Sequence, residues 1–255
     1  SRKKNKNTLS WAELESNPAL IEAYDVVINL CGESILQIWT KAAKERLYNS
    51  RINPTQKLVE IINKANKKPS CLINASAIGI YPEEISGFFA EEDALGKHFM
   101  ATLCKDWEKA ALKAKTRTAL LRIGIVLEKN NGFLKLIRLP YLCGVGGHLG
   151  SGKQALPWIH ADDLCSSMAF IIENPALDGP INAVAPAQNS LKTFCKALAQ
   201  ELKRPNFLHV PSGLIKLFMG ELGHSLLHTP YVEPKKLLNH KFTFKYKELC
   251  PKIFH

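Results

Sequence analysis

Short apolar runs alternate with longer amphipathic stretches through the first half of the chain. Residues 25–30, 71–77 and 118–127 are apolar almost throughout, as is typical of strands buried on both faces of a parallel sheet. Helical periodicity fills the intervals from about residue 40 and from 98 to 113, although Pro54 is expected to kink or divide the first helix. This alternation predicts an α/β fold with a doubly wound parallel sheet covered by helices.

The pattern loosens after Gly132. A helix to about residue 143, a glycine-rich stretch over 144–152 and an extended segment over 155–159 precede a helix that Asp162 and Asp163 are expected to cap. Further elements are predicted at 181–184, 191–202, 207–210 and 214–227. We therefore expect a Rossmann-like domain over residues 1–160. Residues 161–255 would combine the rest of that domain with a small C-terminal α+β lobe.

The segment 71–81, CLINASAIGIY, has the character of a buried strand that ends at a site. Ligands of doubly wound sheets bind beyond the carboxyl ends of the strands, where Ser76 would lie. Ser76 is therefore a candidate catalytic residue. The alternative is that a small residue is needed there for close packing.

Composition narrows the class of protein. The chain has 255 residues, of which 46% are hydrophobic and 22% charged, as in ordinary soluble globular proteins. It contains neither a membrane-length apolar run nor an N-terminal secretory signal, which predicts a cytoplasmic protein without a membrane role. The seven cysteines include no CxxC pair, so neither a metal site nor a disulfide framework is expected.

The formal net charge is +11. A basic surface attracts phosphates, but the lysines are spread over most helices and no nucleic-acid-binding motif is present. Attraction for a phosphorylated small molecule is the favoured interpretation, and no nucleic-acid partner is expected. Nucleic-acid binding would show itself as strongly salt-dependent affinity.

An ordered series of short motifs resembles a known family. The segments are NLCGE (29–33), SR (50–51), NASAIG (74–79), WE (107–108), LRIGIVL (121–127), GSG (150–152) and PWIHADDL (157–164). Together they resemble the atypical extended short-chain dehydrogenase/reductases known as sugar-nucleotide-epimerase-like or "epimerase family" proteins. The resemblance implies an NAD(P)-binding Rossmann domain with a C-terminal substrate lobe, and NADP as the cofactor.

The resemblance also implies cofactor contacts. The positions that it matches are Ser1, Arg2, Leu30, Cys31, Gly32, Glu45, Arg51 and Val126. Arg2 would pair with the 2'-phosphate of NADP, since a guanidinium forms charge-assisted bonds with phosphate. A disordered basic terminus is the alternative for Arg2, and a surface salt bridge is the alternative for Glu45 and Arg51.

Two departures from the family pattern limit the functional prediction. The glycine-rich GxxGxxG turn that normally opens this fold is absent, so a first βαβ segment of roughly 30 residues is expected to precede Ser1. Without that turn NADP should bind poorly, and the sheet would lack its central strand. We expect the sequence to be a fragment of a longer protein, unless something else completes the sheet.

The second departure concerns the proton-transfer pair. The chain's only YxxxK match is 231–235, which contains Pro234 and lies far from the Ser76 strand, so it is rejected as catalytic. Met100 and Cys104 stand where the usual tyrosine and lysine are expected. Tyr81 is a candidate substitute proton donor, with a packed strand-end tyrosine as the alternative.

Other motifs are weaker. Residues 147–154 nearly spell a phosphate-binding GxxxxGK[ST] loop, but glutamine replaces the final hydroxyl residue and the following segment is extended. His224 and His228 share a helix face without a third metal ligand, which favours surface or packing roles. Trp158 and His160 are candidates for the substrate wall, and a structural histidine is the alternative for His160.

These observations predict an NADP-binding oxidoreductase or epimerase-like protein that acts on a nucleotide sugar or a small carbonyl or hydroxy compound. Because the usual Tyr-Lys pair is missing, the alternative is a catalytically inactive NADP-binding or sensing module. The sequence indicates neither the substrate nor the oligomeric state.

Overall fold

The computed structural model describes residues 8–84, 87–129 and 132–254. In chain order, the strands are β1 (Val26–Asn29), β2 (Cys71–Ala77), β3 (Phe88–Phe89), β4 (Arg117–Ile123), β5 (Ile125–Leu127), β6 (Gly147–Leu149), β7 (Trp158–His160), β8 (Gly179–Ala183), β9 (Leu208–Val210) and β10 (Tyr231–Val232). The α-helices are α1 (Trp11–Ser16), α2 (Lys41–Lys64), α3 (Phe99–Ala111), α4 (Gly132–Leu142), α5 (Ala161–Glu173), α6 (Leu191–Leu202), α7 (Ser212–Leu227) and α8 (Lys235–Asn239).

The central element is a parallel sheet with the strand order β1-β2-β4-β8. Three further parallel pairs, β5 with β7, β6 with β9 and β3 with β10, carry the chain away from this sheet. The predicted fold class, a Rossmann-like α/β sheet with a small C-terminal lobe, is confirmed. The boundary after residue 160 stays a prediction, because α5 and β8 return to the main sheet before the lobe elements follow.

Alternating side chains give the sheet two covered faces. On one face Ile73 and Leu121 pack with Ile171 of α5 in a core that extends to Phe242. On the other face Leu72 packs with Ile62 and its neighbours from α2. Both faces are covered by helices, which is why the strands are apolar at nearly every position.

The open edge of the main sheet is β1. Among the described strands β1 pairs only with β2, so its other edge has no strand beside it. Ile28 is 43% exposed and Leu30, just beyond the strand, is 58% exposed. This edge therefore presents backbone groups and apolar side chains at the surface.

Several boundaries differ from the sequence predictions. The apolar run 118–127 is two strands, because the chain turns out of the main sheet at Gly124, where a Cβ would lie 2.7 Å from the carbonyl oxygen of Pro157. The periodicity of residues 98–113 predicts Leu112 on the buried face of the helix, but Leu112 is the C-cap of α3 and 55% exposed. Helix α2 continues through Pro54, so the proline does not divide it.

The N-cap of α5 also differs from the prediction. His160 caps the helix, since its Nδ1 accepts the backbone N–H of Asp162 at 3.1 Å. Asp163 instead accepts the backbone N–H groups of Lys245 and Tyr246, at 2.7 and 2.9 Å. Asp163 thereby ties the C-terminal segment to the start of α5.

None of the helices in the described part of the chain has both the length and the apolar character needed to cross a membrane. Among residues 8–84, 87–129 and 132–254, no group of three or more histidine, cysteine, aspartate or glutamate side chains is arranged to hold a metal ion.

Candidate active site at the strand ends

Arg51 packs against the turn that follows β1. Its Nη2 donates to the carbonyl oxygen of Glu33 at 2.9 Å, and a Cβ built on Gly32 would lie 3.1 Å from its Cζ. Gly32 is therefore needed for this close approach. Leu30, Cys31, Gly32 and Arg51, four of the predicted cofactor contacts, lie together at the carboxyl end of β1.

Contacts with Leu47 and Trp107 hold the Arg51 guanidinium in place. Its Nη1 donates to the carbonyl oxygen of Leu47 at 3.1 Å, and its Cζ lies 5.4 Å from the centroid of the Trp107 ring. Burial lowers the pKa of Arg51, which nevertheless stays a cation at neutral pH. Arg51 thus places a fixed positive charge beside the exposed turn.

Other predicted cofactor contacts lie elsewhere. Glu45 is on the exposed side of α2. Val126 is in β5, where it pairs with Ile159 and packs against the core beneath α5. Ser1 and Arg2 lie outside the described residues, so their roles stay predictions, as do those of Glu45 and Val126.

The Ser76 hydroxyl points into the protein interior. It donates to Glu108 Oε1 at 2.7 Å, and Glu108 also accepts a two-pronged bond from Arg122, with distances of 2.9 Å from Nε and 3.0 Å from Nη2. The three residues are 3%, 7% and 2% exposed. Because Ser76 donates its only hydroxyl proton to this carboxylate, the structure favours the packing alternative. Its catalytic role stays a prediction.

Tyr81 belongs to the same buried network. Its hydroxyl donates to Asn182 Oδ1 at 2.7 Å and accepts from Arg122 Nη1 at 2.9 Å. Burial raises the pKa of Tyr81 to about 12, and the residue is 1% exposed. A buried phenol with that pKa is poorly matched to proton transfer near neutral pH. The packing alternative is favoured here too.

Arg122 is the residue around which this network forms. In β4 it stands in register with Ser76 on β2 and Asn182 on β8. Burial opposes its charge, but the hydrogen bonds and the negative charge of Glu108 outweigh burial and raise the pKa of Arg122. An arginine inside an apolar strand was a signal available from the sequence, because a buried charge requires a partner.

The two predicted substrate residues lie inside the C-terminal half. Trp158 is 1% exposed, and its Nε1 has no hydrogen-bond partner among the described residues. The His160 ring lies 3.9 Å from that of Tyr246, centroid to centroid, and burial lowers its pKa. These contacts favour structural roles, and the substrate roles stay predictions.

A cavity of 220 Å³ opens beside the turn that follows the carboxyl end of β2, where His98 binds the carbonyl oxygen of Gly79. Its walls come from the segment after β1, the turn after β2, the start of α3 and helix α7. The lining residues are Trp39, Glu83, His98, Phe99, Glu221 and His224. Since ligands of doubly wound sheets bind beyond the carboxyl ends of the strands, this cavity is the structure's candidate substrate cleft. The sequence predicts only a surface or packing role for His224, whereas the structure places it in the wall of this cavity.

Comparison with family models decides the classification. Residues 2–184 match the model described as the NAD dependent epimerase/dehydratase family. The chain belongs to that family. Residues 210–251 match a second model, a domain of unknown function named DUF1731, which covers the end of the C-terminal lobe.

Individual relatives agree with this classification. An epimerase family protein of Staphylococcus aureus is 35% identical over 98% of this chain and 84% of its own length. The chloroplastic SDR39U1 homolog of Arabidopsis thaliana, also an epimerase family protein, is 37% identical over 89% of this chain and 67% of its own length. The resemblance to atypical short-chain dehydrogenase/reductases is thereby confirmed.

A solved structure shows the same fold. The crystal structure of human epimerase family protein SDR39U1, isoform 2, with NADPH matches 99% of this chain and 88% of the human chain, with a TM-score of 0.92 and 28% identity. NADPH is thus a ligand of that human protein.

Proposed function

We propose that this protein binds NADP(H) at the carboxyl end of β1 and acts as an oxidoreductase or epimerase-like enzyme on a nucleotide sugar or a small carbonyl or hydroxy compound. The observation that carries the proposal is the exposed turn over residues 30–32, which has a fixed guanidinium beside it. The human relative with NADPH supports the choice of cofactor.

The residues around β1 fit the part of a dinucleotide that would lie beside this strand, and the pyrophosphate requires the glycine-rich turn expected in the full-length protein. Leu30 is 58% exposed and offers an apolar surface, while Gly32 lets the backbone come close to a ligand. Arg51 supplies positive charge beside this turn, as a phosphorylated ligand requires. When bound, the nicotinamide would supply or accept a hydride.

The second candidate, an NADP-binding or sensing module without turnover, is favoured by a separate observation. The hydroxyls of Ser76 and Tyr81 are both buried and both have hydrogen-bond partners. Met100 and Cys104 occupy the positions expected for the usual proton-transfer pair, and burial raises the pKa of Cys104 to about 12. Such a module would bind NADPH with the same contacts and reduce nothing.

Thiol protection tests where the cofactor binds. Cys31 is half-buried beside the proposed contact, and Cys143 is exposed after α4. We expect saturating NADPH to slow maleimide labelling of Cys31, read by mass spectrometry, and to leave Cys143 unchanged. NADH should protect Cys31 only at higher concentration. Equal labelling of Cys31 with and without NADPH would refute the placement.

Calorimetry on the same samples shows whether NADPH binds at all, independently of where it binds. We expect NADPH to bind more tightly than NADH, and Gly32→Val to weaken NADPH binding because its side chain would meet Arg51. Gly213→Ala is the matched control, since no atom lies within 4 Å of the added Cβ. NADPH oxidation with a panel of carbonyl compounds then distinguishes the enzyme from the sensing module.

A further inference from the structure

His224 of α7 meets Glu83, from the turn after β2, at the candidate cleft. His224 Nδ1 lies 3.1 Å from Glu83 Oε2, across 141 residues of sequence. An ionised carboxylate only accepts hydrogen bonds, so the imidazole proton is held at Nδ1 and the Nε2 lone pair is left available. The His224 side chain is 48% exposed and that of Glu83 is 18% exposed. The imidazole therefore reaches solvent, while the carboxylate that orients it is largely covered.

A second imidazole lies on the other side of the carboxylate but has a different role. His98 Nε2 donates to the carbonyl oxygen of Gly79 at 3.1 Å and lies 3.8 Å from Glu83 Oε1. Its Nδ1 faces the backbone of Gly96, where an added Cβ would lie 2.9 Å away. His98 thus holds the Glu83 turn against the end of β2 through its Nε2.

Neighbouring groups fix the ring of His224. His228, one turn later in α7, stacks on it with ring centroids 4.1 Å apart, and His228 Nδ1 donates to the His224 carbonyl oxygen at 2.7 Å. Glu221, one turn earlier, forms an ion pair with Lys44 of α2. The charged and titratable groups around His224 are therefore Glu83, His98, His228, Glu221 and Lys44.

The cavity beside His224 has aromatic walls. Trp39 and Phe99 meet edge to face with centroids 5.5 Å apart, and Trp39 Nε1 donates to the carbonyl oxygen of Ile35 at 3.0 Å. Aromatic surfaces next to hydrogen-bond acceptors suit a small ligand with an apolar ring face and hydroxyl groups.

We propose that Glu83 and His224 form the acid–base dyad of this cleft. This proposal rests on the proposed function. The dyad provides the proton-transfer group that the buried hydroxyls of Ser76 and Tyr81 do not. His224 Nε2 takes the proton of a substrate hydroxyl while the neighbouring C–H bond breaks and the carbonyl forms. NADP, when bound, would accept the hydride from that C–H bond and would return it in the reverse direction. His224 is the catalytic residue, and Glu83 positions it.

Chemical modification tests the dyad without cofactor or turnover. A neutral imidazole nitrogen supported by a carboxylate is a strong nucleophile toward diethyl pyrocarbonate. We expect His224, located by mass spectrometry, to react severalfold faster than His240, and Glu83→Gln to remove that advantage. His240 is the matched control because it is exposed and its Nδ1 is likewise hydrogen-bonded, but to a neutral acceptor, the carbonyl oxygen of Lys236 at 2.9 Å. A His224 rate that Glu83→Gln leaves unchanged would overturn the dyad.

A turnover assay tests the role of the dyad in catalysis, with NADPH as the reductant and 9,10-phenanthrenequinone as the carbonyl probe. We expect His224→Gln to lower kcat by about 10²-fold with little change in KM, as is typical of a lost acid–base group. Glu83→Gln should lower kcat with the melting temperature unchanged, and His240→Gln should behave as wild type. Wild-type turnover by His224→Gln overturns the inference. So does wild-type protein that binds NADPH without reducing the probe. Absence of NADPH binding is a separate result, which overturns the proposed function itself.

Discussion

The buried pair of Glu108 and Arg122 allows a quantitative prediction about stability. In Glu108→Gln, the side-chain amide still accepts one hydrogen bond from Arg122, but its NH₂ group then faces the second guanidinium N–H. The positive charge of Arg122, 2% exposed, is left without a counter-charge. Removing one partner of a buried ion pair costs about 3–5 kcal/mol.

Two further variants separate the charge from the hydrogen bonds. Ser76→Ala removes only the 2.7 Å bond to Glu108, so its cost should not exceed about 3 kcal/mol, the upper value for a bond to a charged group. Replacing Glu108 with Leu and Arg122 with Met together with Ser76→Ala removes both charges and the serine hydroxyl that would otherwise lose its acceptor, and should recover much of the loss. It should stay about 1–3 kcal/mol below wild type, because the carbonyl oxygen of Glu91 loses its bond from Arg122.

Urea unfolding followed by circular dichroism measures these differences from the transition midpoints at a common slope. In a chain of this length, 1 kcal/mol corresponds to about 2–4 °C in melting temperature, so Glu108→Gln should melt roughly 6–20 °C below wild type. A loss under about 1 kcal/mol for Glu108→Gln would refute the reasoning. A triple variant less stable than Glu108→Gln would refute it as well.

Three further predictions follow from single contacts. Gly147→Ala should destabilise the lobe by about 1–3 kcal/mol, since its Cβ would collide with the carbonyl oxygen of Leu208 on β9. Gly213→Ala in α7 should be neutral or stabilising, because no atom lies within 4 Å of the added Cβ. Thermal melts of the two variants test this difference. Burial raises the pKa of Glu91 above its ordinary 4.5, so the folded state holds that proton more tightly and loses stability as the pH rises past 4.5. Urea unfolding should therefore show Glu91→Gln gaining stability relative to wild type as the pH rises above that value, and a constant difference would contradict the assignment. Burial raises the pKa of Tyr81 to about 12, so wild type and Tyr81→Phe should show the same phenolate absorbance change up to pH 11.

Much of the architecture was predictable from the sequence because it depends on local pattern. The apolar runs of β1 and β2 and the periodicity of α6 are local properties, and α6 spans Leu191–Leu202 as predicted. The break at Gly124 was not predictable, because it depends on the carbonyl of Pro157, more than 30 residues later in the chain. The hydrophobic periodicity of a segment predicts which of its residues are buried. It does not show where the chain leaves one sheet and enters another.

The candidate site divides in the same way. The motifs in the sequence pointed to the family, and that resemblance implied cofactor contacts at residues 30–32 and Arg51, which stay predictions. Only the tertiary structure showed that the hydroxyl of Ser76 is bonded to Glu108 and that Glu83 lies against His224. A hydrogen-bond partner depends on which elements pack together, and these partners are 32 and 141 residues apart. Local sequence pattern therefore determined most of the elements and the family, while packing between distant elements decided which side chains are free for chemistry.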